Sequence, residues 1–201
     1  MTKEELVKEF RVREILAAAR SVIARYGIQG TTVDRVAEEA KVAKGTIYLY
    51  FDTKDALVHT AVIEGLREMT AEVLASDDPS IPPLERIRKL ILAQFRILSS
   101  NQDFLKTFII GNSLDIELES ETGQRELQVY AGHLNFVASV LQDAIDRSAI
   151  RRIDPQFAAF MLGEMLTGTL RRRLLKLASS PLESDAEAVV ELFLKGIAAT
   201  P

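Results

Sequence analysis

The side chains that could do chemistry in this chain gather within residues 44–54. Lys44 can reach a phosphate or the acceptor edge of guanine. Gly45 lets a backbone approach closely, and Thr46 can hydrogen-bond a base or touch a thymine methyl. Tyr48, Tyr50 and Lys54 carry hydroxyl and ammonium groups suited to phosphate oxygens, contacts that fix register more than sequence. Leu49 is a poor phosphate ligand, so it is either core or an apolar contact to thymine. One tyrosine alone is better read as packing in a small core. The whole set is chemistry for gripping a DNA duplex.

Two short helices must position that set. Gly27 follows the periodic run Val12, Ile15, Leu16, Ala19, Val22, Ile23 and Tyr26, and suits the left-handed residue that ends a helix. Thr31 or Thr32 can cap the next one, and Thr31 with Asp34 has the spacing of a capping box. Val33, Val36, Ala37 and Ala40 form an apolar stripe at helical spacing. Residues 41–43 make a turn, in which Val42 plugs the core. The following helix buries Ile47 and Phe51 and leaves its other face free. Two short helices at this spacing can lay the second into the major groove of DNA. Thr31, Thr32 and Arg35, at the start of the first, complete the candidate DNA-contacting set.

The pattern Gly-x-x-Gly-Thr-Thr-Val from Gly27, followed by Val-Ala-Lys-Gly-Thr-Ile-Tyr-x-Tyr-Phe-x-Thr-Lys-Asp-Ala-Leu from Val42, resembles the DNA-binding domain of the TetR family of transcriptional regulators. The resemblance covers roughly residues 10–60; beyond them only length and helical layout match. Two departures stand out: Ala43 replaces a frequent serine, removing a hydroxyl contact or cap, and Tyr50 replaces a common histidine, which preserves a phosphate contact. The resemblance implies an all-α fold of about nine helices. It would comprise an N-terminal three-helix helix-turn-helix domain, residues 1–54, and a C-terminal helical ligand-binding and dimerisation domain, residues 55–201. It implies a ligand-responsive repressor that binds a palindromic operator as a homodimer and is released by a small molecule.

The charge distribution agrees. The chain of 201 residues has a formal net charge of −4. Residues 1–54 hold 10 Lys and Arg against 8 Asp and Glu, a net +2, and residues 55–201 hold 15 against 21, a net −6. That sign asymmetry fits a DNA reader on an acidic body. With 47% hydrophobic residues the chain can bury a substantial core. Cysteine is absent, excluding disulfides and thiolate metal sites. A charged N-terminus and no run of membrane-spanning length lead us to expect a soluble, cytoplasmic protein with no membrane partner.

Beyond the motif the chain reads as helix almost throughout, with no strand pattern and no internal repeat. A fourth helix opens at Asp52-Thr53 and runs to about Ala75, and a linker at residues 77–83 breaks the pattern. Leu84, Ile87, Ile91, Phe95 and Leu98 mark a helix; Phe104, Phe108 and Ile109 a short one ending near Gly111. Residues 115–121 read as an acidic loop or solvated helix end. Leu127, Tyr130, Leu134, Val137, Leu141 and Ile145 mark a long helix. From Asp154-Pro155, a cap followed by proline at the first helical position, to about Lys176 the sequence is apolar on nearly every face, which requires burial on several sides. With the final helix it suggests self-association, and the resemblance points the same way; Phe157, Phe160, Met161, Leu166, Val189, Phe193 and Ile197 are the candidate dimer contacts. The fourth helix is then the lever through which a ligand could change the spacing of two recognition helices.

The resemblance places an effector pocket among the middle helices, lined by some of Met69, Phe95, Phe104, Phe108, Tyr130, His133, Phe136, Glu164 and Met165; core packing is the simpler reading for each. Glu164 interrupts an apolar helix, and as a buried carboxylate it would need a partner, either Arg171, Arg172 or Arg173 or a cationic ligand, the arginine pairing being the simpler reading. No catalytic, metal or cofactor site is expected: His59 and His133 lack metal-ligand spacing, and no phosphate loop or nucleophile elbow is present. The alternative is a helical small-molecule-binding or scaffold protein that reads no DNA, against which Lys44, Thr46, Tyr48 and Lys54 speak.

Overall fold

The computed structural model describes residues 2–109 and 121–198, apart from the side chains of Phe108, Glu121, Thr122 and Glu126. Among them the chain forms α1 (Lys3–Gly30), α2 (Val33–Glu39), α3 (Lys44–Tyr48), α4 (Lys54–Ala75), α5 (Pro83–Ser100), α6 (Gln102–Ile109), α7 (Glu121–Asp146), α8 (Pro155–Leu174) and α9 (Leu182–Ile197). The described residues contain no strand, only an isolated bridge between Ile150 and Ala198. The expected acidic stretch at residues 115–120 and the helix end near Gly111 lie outside the described residues.

The chain divides into two compact units, residues 1–67 with 103–125 and residues 68–102 with 126–201. In the first, α1 begins with a capping box between Thr2 and Glu5 and buries Ile15, Leu16, Ala18, Ala19, Val22 and Ile23. Gly27 breaks it at φ 71°, ψ 172°, a conformation essentially reserved for glycine, and one further turn follows. Tyr26 is half exposed rather than core. α1 packs on α2, and the two are clamped by Glu39. Its carboxylate accepts two hydrogen bonds from Arg25 at 2.8 and 2.9 Å and one from the Ser21 hydroxyl at 2.9 Å.

α2 ends in a Schellman turn. The Lys41 N–H bonds the Glu38 carbonyl, the Val42 N–H bonds the Ala37 carbonyl, and Lys41 takes φ 55°. Also in this unit, α4 passes α1 and α6 at Gly65, where an added Cβ would stand 2.9 Å from the Arg20 Cδ and 3.1 Å from the Phe104 ring. Only glycine fits there without displacing a neighbour.

In the second unit α5 is the central element. It buries Ile87, Leu90, Ile91, Phe95 and Ile97 and packs against α8 and α9. The Arg86 guanidinium donates to Asp77 at 2.7 and 2.8 Å and to Asp143 of α7 at 3.1 Å, tying the linker and α7 to α5. α8 starts at Asp154, whose carboxylate accepts the Gln156 and Phe157 N–H groups. It buries Ala158, Ala159, Leu162, Leu166 and Leu170 but leaves Phe157 58% exposed, with Phe160 and Met161 beside it on the opposite face. The helix therefore has one apolar stripe for this unit's own core and a second without cover in the single chain.

α9 corrects the expectation for the last helix. Val189, Phe193 and Ile197 are buried against α5 and α8, not offered at a surface, and Leu166 belongs to the same core. One chain suffices to bury them, so a partner is not needed for that face. Arg172 and Arg173 do not pair with Glu164, which is exposed. They turn to the buried Asp185 of α9: Arg173 donates to its carboxylate, Ser180 Oγ donates at 2.6 Å, and Arg172 stands at 3.7 Å.

Candidate nucleic-acid interface

α3 is five residues long, too short to hold itself together, and stands because Ile47 is fully buried beneath it. Phe51, four residues on, is buried with it. That anchoring turns the other positions outward. Lys44, Gly45, Tyr48 and Leu49 are exposed, and Thr46, Tyr50 and Lys54 are half-buried. Leu49 is 77% exposed, which removes the core reading and leaves the apolar contact. Ala43, at the N-cap, offers no side-chain bond to the first turn, so the missing hydroxyl is felt as a missing cap.

The capping box expected between Thr31 and Asp34 does not form. Thr32 is the cap, its hydroxyl accepting the Arg35 N–H at 3.3 Å. Thr31 is fully buried and donates its hydroxyl to the Gly27 carbonyl at 2.8 Å, stapling the chain just after the kink instead of facing outward. Arg35 lies 4.3 Å from the centroid of the Tyr26 ring and donates to the Gly30 carbonyl. Lys44 Nζ donates to Asp34 Oδ2 at 3.0 Å, and this bond, with the carboxylate's charge, raises the lysine pKa. One short helix thus carries a cation, a hydroxyl and a phenol, with the Tyr50 phenol just past its end and a stacked guanidinium on α2.

The candidate pocket residues are divided between the two units. Phe104 belongs to the first unit, against Gly65, and the Phe108 side chain lies outside the described residues. In the second unit Met69 and Phe95 are buried, His133, Phe136 and Met165 are half-buried, and Tyr130 and Glu164 are exposed. The Tyr130 pKa is raised by desolvation and, secondarily, by the negative charge of Glu164.

Sequence reasoning missed Gln94. It is 4% exposed on the inner face of α5, and its Oε1 accepts from His133 Nε2 at 2.9 Å, while its Nε2 has no partner among the described residues. A buried amide donor left unmade costs roughly 1–3 kcal/mol. Burial lowers the His133 pKa, so the ring is neutral near pH 7. The signal was available: Gln94 stands seven residues after Ile87 and three after Ile91, a polar side chain on an otherwise apolar stripe. Among the described residues no three His, Cys, Asp or Glu side chains are grouped to hold a metal ion. No helix among them is long and apolar enough to cross a membrane.

The pattern of bacterial regulatory proteins of the tetR family matches residues 15–61. The HTH-type transcriptional regulator TtgR of Pseudomonas putida is 31% identical, the match spanning all of this chain and 96% of TtgR. The fatty acid metabolism regulator protein of Bacillus subtilis is 24% identical across 94% of this chain and 97% of its own length. A structure of the regulator FadR from Bacillus subtilis, in complex with stearoyl-CoA, superposes with a TM-score of 0.75 at 24% identity, covering 92% of this chain and 98% of that one. With a short outward-facing helix seated on Ile47, and a match to TtgR along its whole length, the chain belongs to the TetR family of DNA-binding transcriptional regulators and is not an enzyme.

Proposed function

We propose that this regulator is a repressor that binds a palindromic operator as a homodimer and is released by a small, largely apolar molecule. Residues 1–54 read the DNA and residues 55–201 bind ligand and dimerise. Within the reading domain, Lys44, Gly45, Thr46, Tyr48, Leu49, Tyr50 and Lys54 face the duplex, with Thr32 and Arg35 at its margin. One observation carries the reading: Ile47 is the only α3 residue that is buried, so its polar neighbours face away from the core, as entry into the major groove requires.

The dimer reading is supported by the uncovered stripe of Phe157, Phe160 and Met161 on α8. A self-associating face of that kind fixes the distance between two copies of α3, which must match about 34–36 Å or a multiple. α4 contributes residues to both compact units, so a change at the ligand end has a continuous helix to act through. A ligand lowers DNA affinity only by binding one dimer spacing better than the other. The stearoyl-CoA bound by the Bacillus subtilis regulator makes an acyl chain a reasonable first ligand to try.

The experiment is sedimentation paired with gel shifts at rising salt. The wild type should sediment as a dimer and lose DNA steeply as salt rises. Phe160→Glu should sediment as a folded monomer with greatly weakened operator binding. A folded Phe160→Glu protein that stays dimeric would remove α8 from the interface.

A further inference from the structure

The buried Gln94 amide is a hydrogen-bond donor waiting for an oxygen. Its own oxygen accepts from His133 Nε2 at 2.9 Å, and its nitrogen, on a side chain 4% exposed, is unmatched among the described residues. The helix positions around it are apolar: Leu90 and Ile91 before it, Ile97 and Leu98 after it. A polar donor held in this way by a second side chain from another helix has its direction fixed before anything binds. Tyr130, one turn before His133 on α7, feels the negative charge of the exposed Glu164 of α8.

We propose that Gln94, oriented by His133, is the polar anchor of the effector site, and that it takes the uncharged carbonyl oxygen of an otherwise apolar ligand. The inference rests on the ligand-responsive reading above and names the ligand's chemistry. A carboxylate is disfavoured because both members of the pair are neutral, so a buried negative charge would find a donor but no counter-charge. Burial holds His133 in its neutral form, and Glu164 repels an anion from the Tyr130 side. An alcohol is disfavoured because a hydroxyl oxygen that accepts from Nε2 is poorly placed to donate to Oε1 of the same amide, an oxygen that already shares its two lone pairs with His133, so its own O–H is left poorly matched. A ketone, ester or thioester brings an acceptor and no donor.

The test uses the full-length protein and a matched set of probes: 2-alkanones of six to twelve carbons, with carboxylates and primary alcohols of the same lengths, and stearoyl-CoA as a separate arm. Binding is read by calorimetry, and release by loss of the complex with operator DNA. At one or more chain lengths the ketone should bind about tenfold more tightly than the matched carboxylate and alcohol, the scale of one unmatched polar group. Gln94→Leu should erase that preference, while its apolar side chain keeps the helix packed. His133→Phe, which frees the amide to rotate, should weaken it.

Gln94-dependent binding confined to stearoyl-CoA would identify the carbonyl as a thioester; binding across the ketones would identify a free carbonyl compound. Equal or tighter binding of carboxylates, no binding by any ketone or by the thioester, or a preference that survives Gln94→Leu would overturn the proposal. The two readings separate cleanly. Ligand-driven DNA release that ignores Gln94→Leu removes the anchor and leaves the regulator. Gln94-dependent binding without DNA release keeps the anchor and removes the switch.

Discussion

The ammonium of Lys44, on the recognition helix, is held 3.0 Å from the carboxylate of Asp34 on α2. Both side chains are well exposed, so water and salt screen the pair, yet the carboxylate competes with any phosphate for the same cation. Asp34→Asn frees Lys44 and removes one negative charge beside it. Affinity for random-sequence duplex should rise severalfold at low salt, and the gap should narrow as salt increases. Fluorescence anisotropy on a labelled random duplex measures it; identical affinities at low salt would show that Asp34 exerts no restraint.

The stacking of Arg35 on Tyr26 gives a second prediction. Tyr26→Leu keeps an apolar surface at that position but removes the π face that holds the guanidinium 4.3 Å from its centroid. An exposed pair of this kind contributes about 0.5–1 kcal/mol. DNA binding should weaken by about twofold to fivefold with little change in thermal stability. A large fall in the unfolding midpoint would instead assign Tyr26 to the core.

Ala43 leaves α3 uncapped. Ala43→Ser supplies an oxygen for a first-turn N–H and should stabilise the protein by about 0.5–2 kcal/mol. Denaturant titration measures the gain. No gain would mean that the N-terminus of α3 is already satisfied by solvent.

Asp185 sets a pH dependence. The Ser180 hydroxyl, then Arg173, hold its folded-state pKa below the ordinary 3.8. A depressed carboxylate stabilises the fold above its unfolded pKa and loses that contribution as pH falls through the folded value. The gap in unfolding midpoint between wild type and Asp185→Asn should therefore be present at neutral pH and close below about pH 4. A gap that is constant with pH would show that the charge is irrelevant and only shape matters.

The reading helices were legible because local chemistry agreed at each step: the Val33, Val36 and Ala37 stripe, the turn at residues 41–43, and the burial of Ile47 with Phe51 all stand in the structure. Thr31 was misread because two adjacent threonines can both cap, and only the kink at Gly27 decides which hydroxyl faces inward. The ends of α2, α7 and α8 carried no glycine stop, since Lys41, Ser148 and Lys176 take the left-handed position themselves. The direction of α9 could not be read from periodicity, because an apolar face reports that it is covered and not by what. Gln94 was written plainly on the α5 stripe, but its meaning depends on His133, thirty-nine residues away in sequence.

The central claim is that the exposed face of α3 reads an inverted repeat. Selection of bound duplexes from a random-sequence library with the purified full-length protein tests it most directly. The account predicts enrichment of an inverted repeat whose half-site centres are about one turn of DNA apart or a multiple, with Lys44→Ala relaxing preference at one position in each half-site. Recovery of no common sequence, or of one equally enriched by Lys44→Ala, would contradict it.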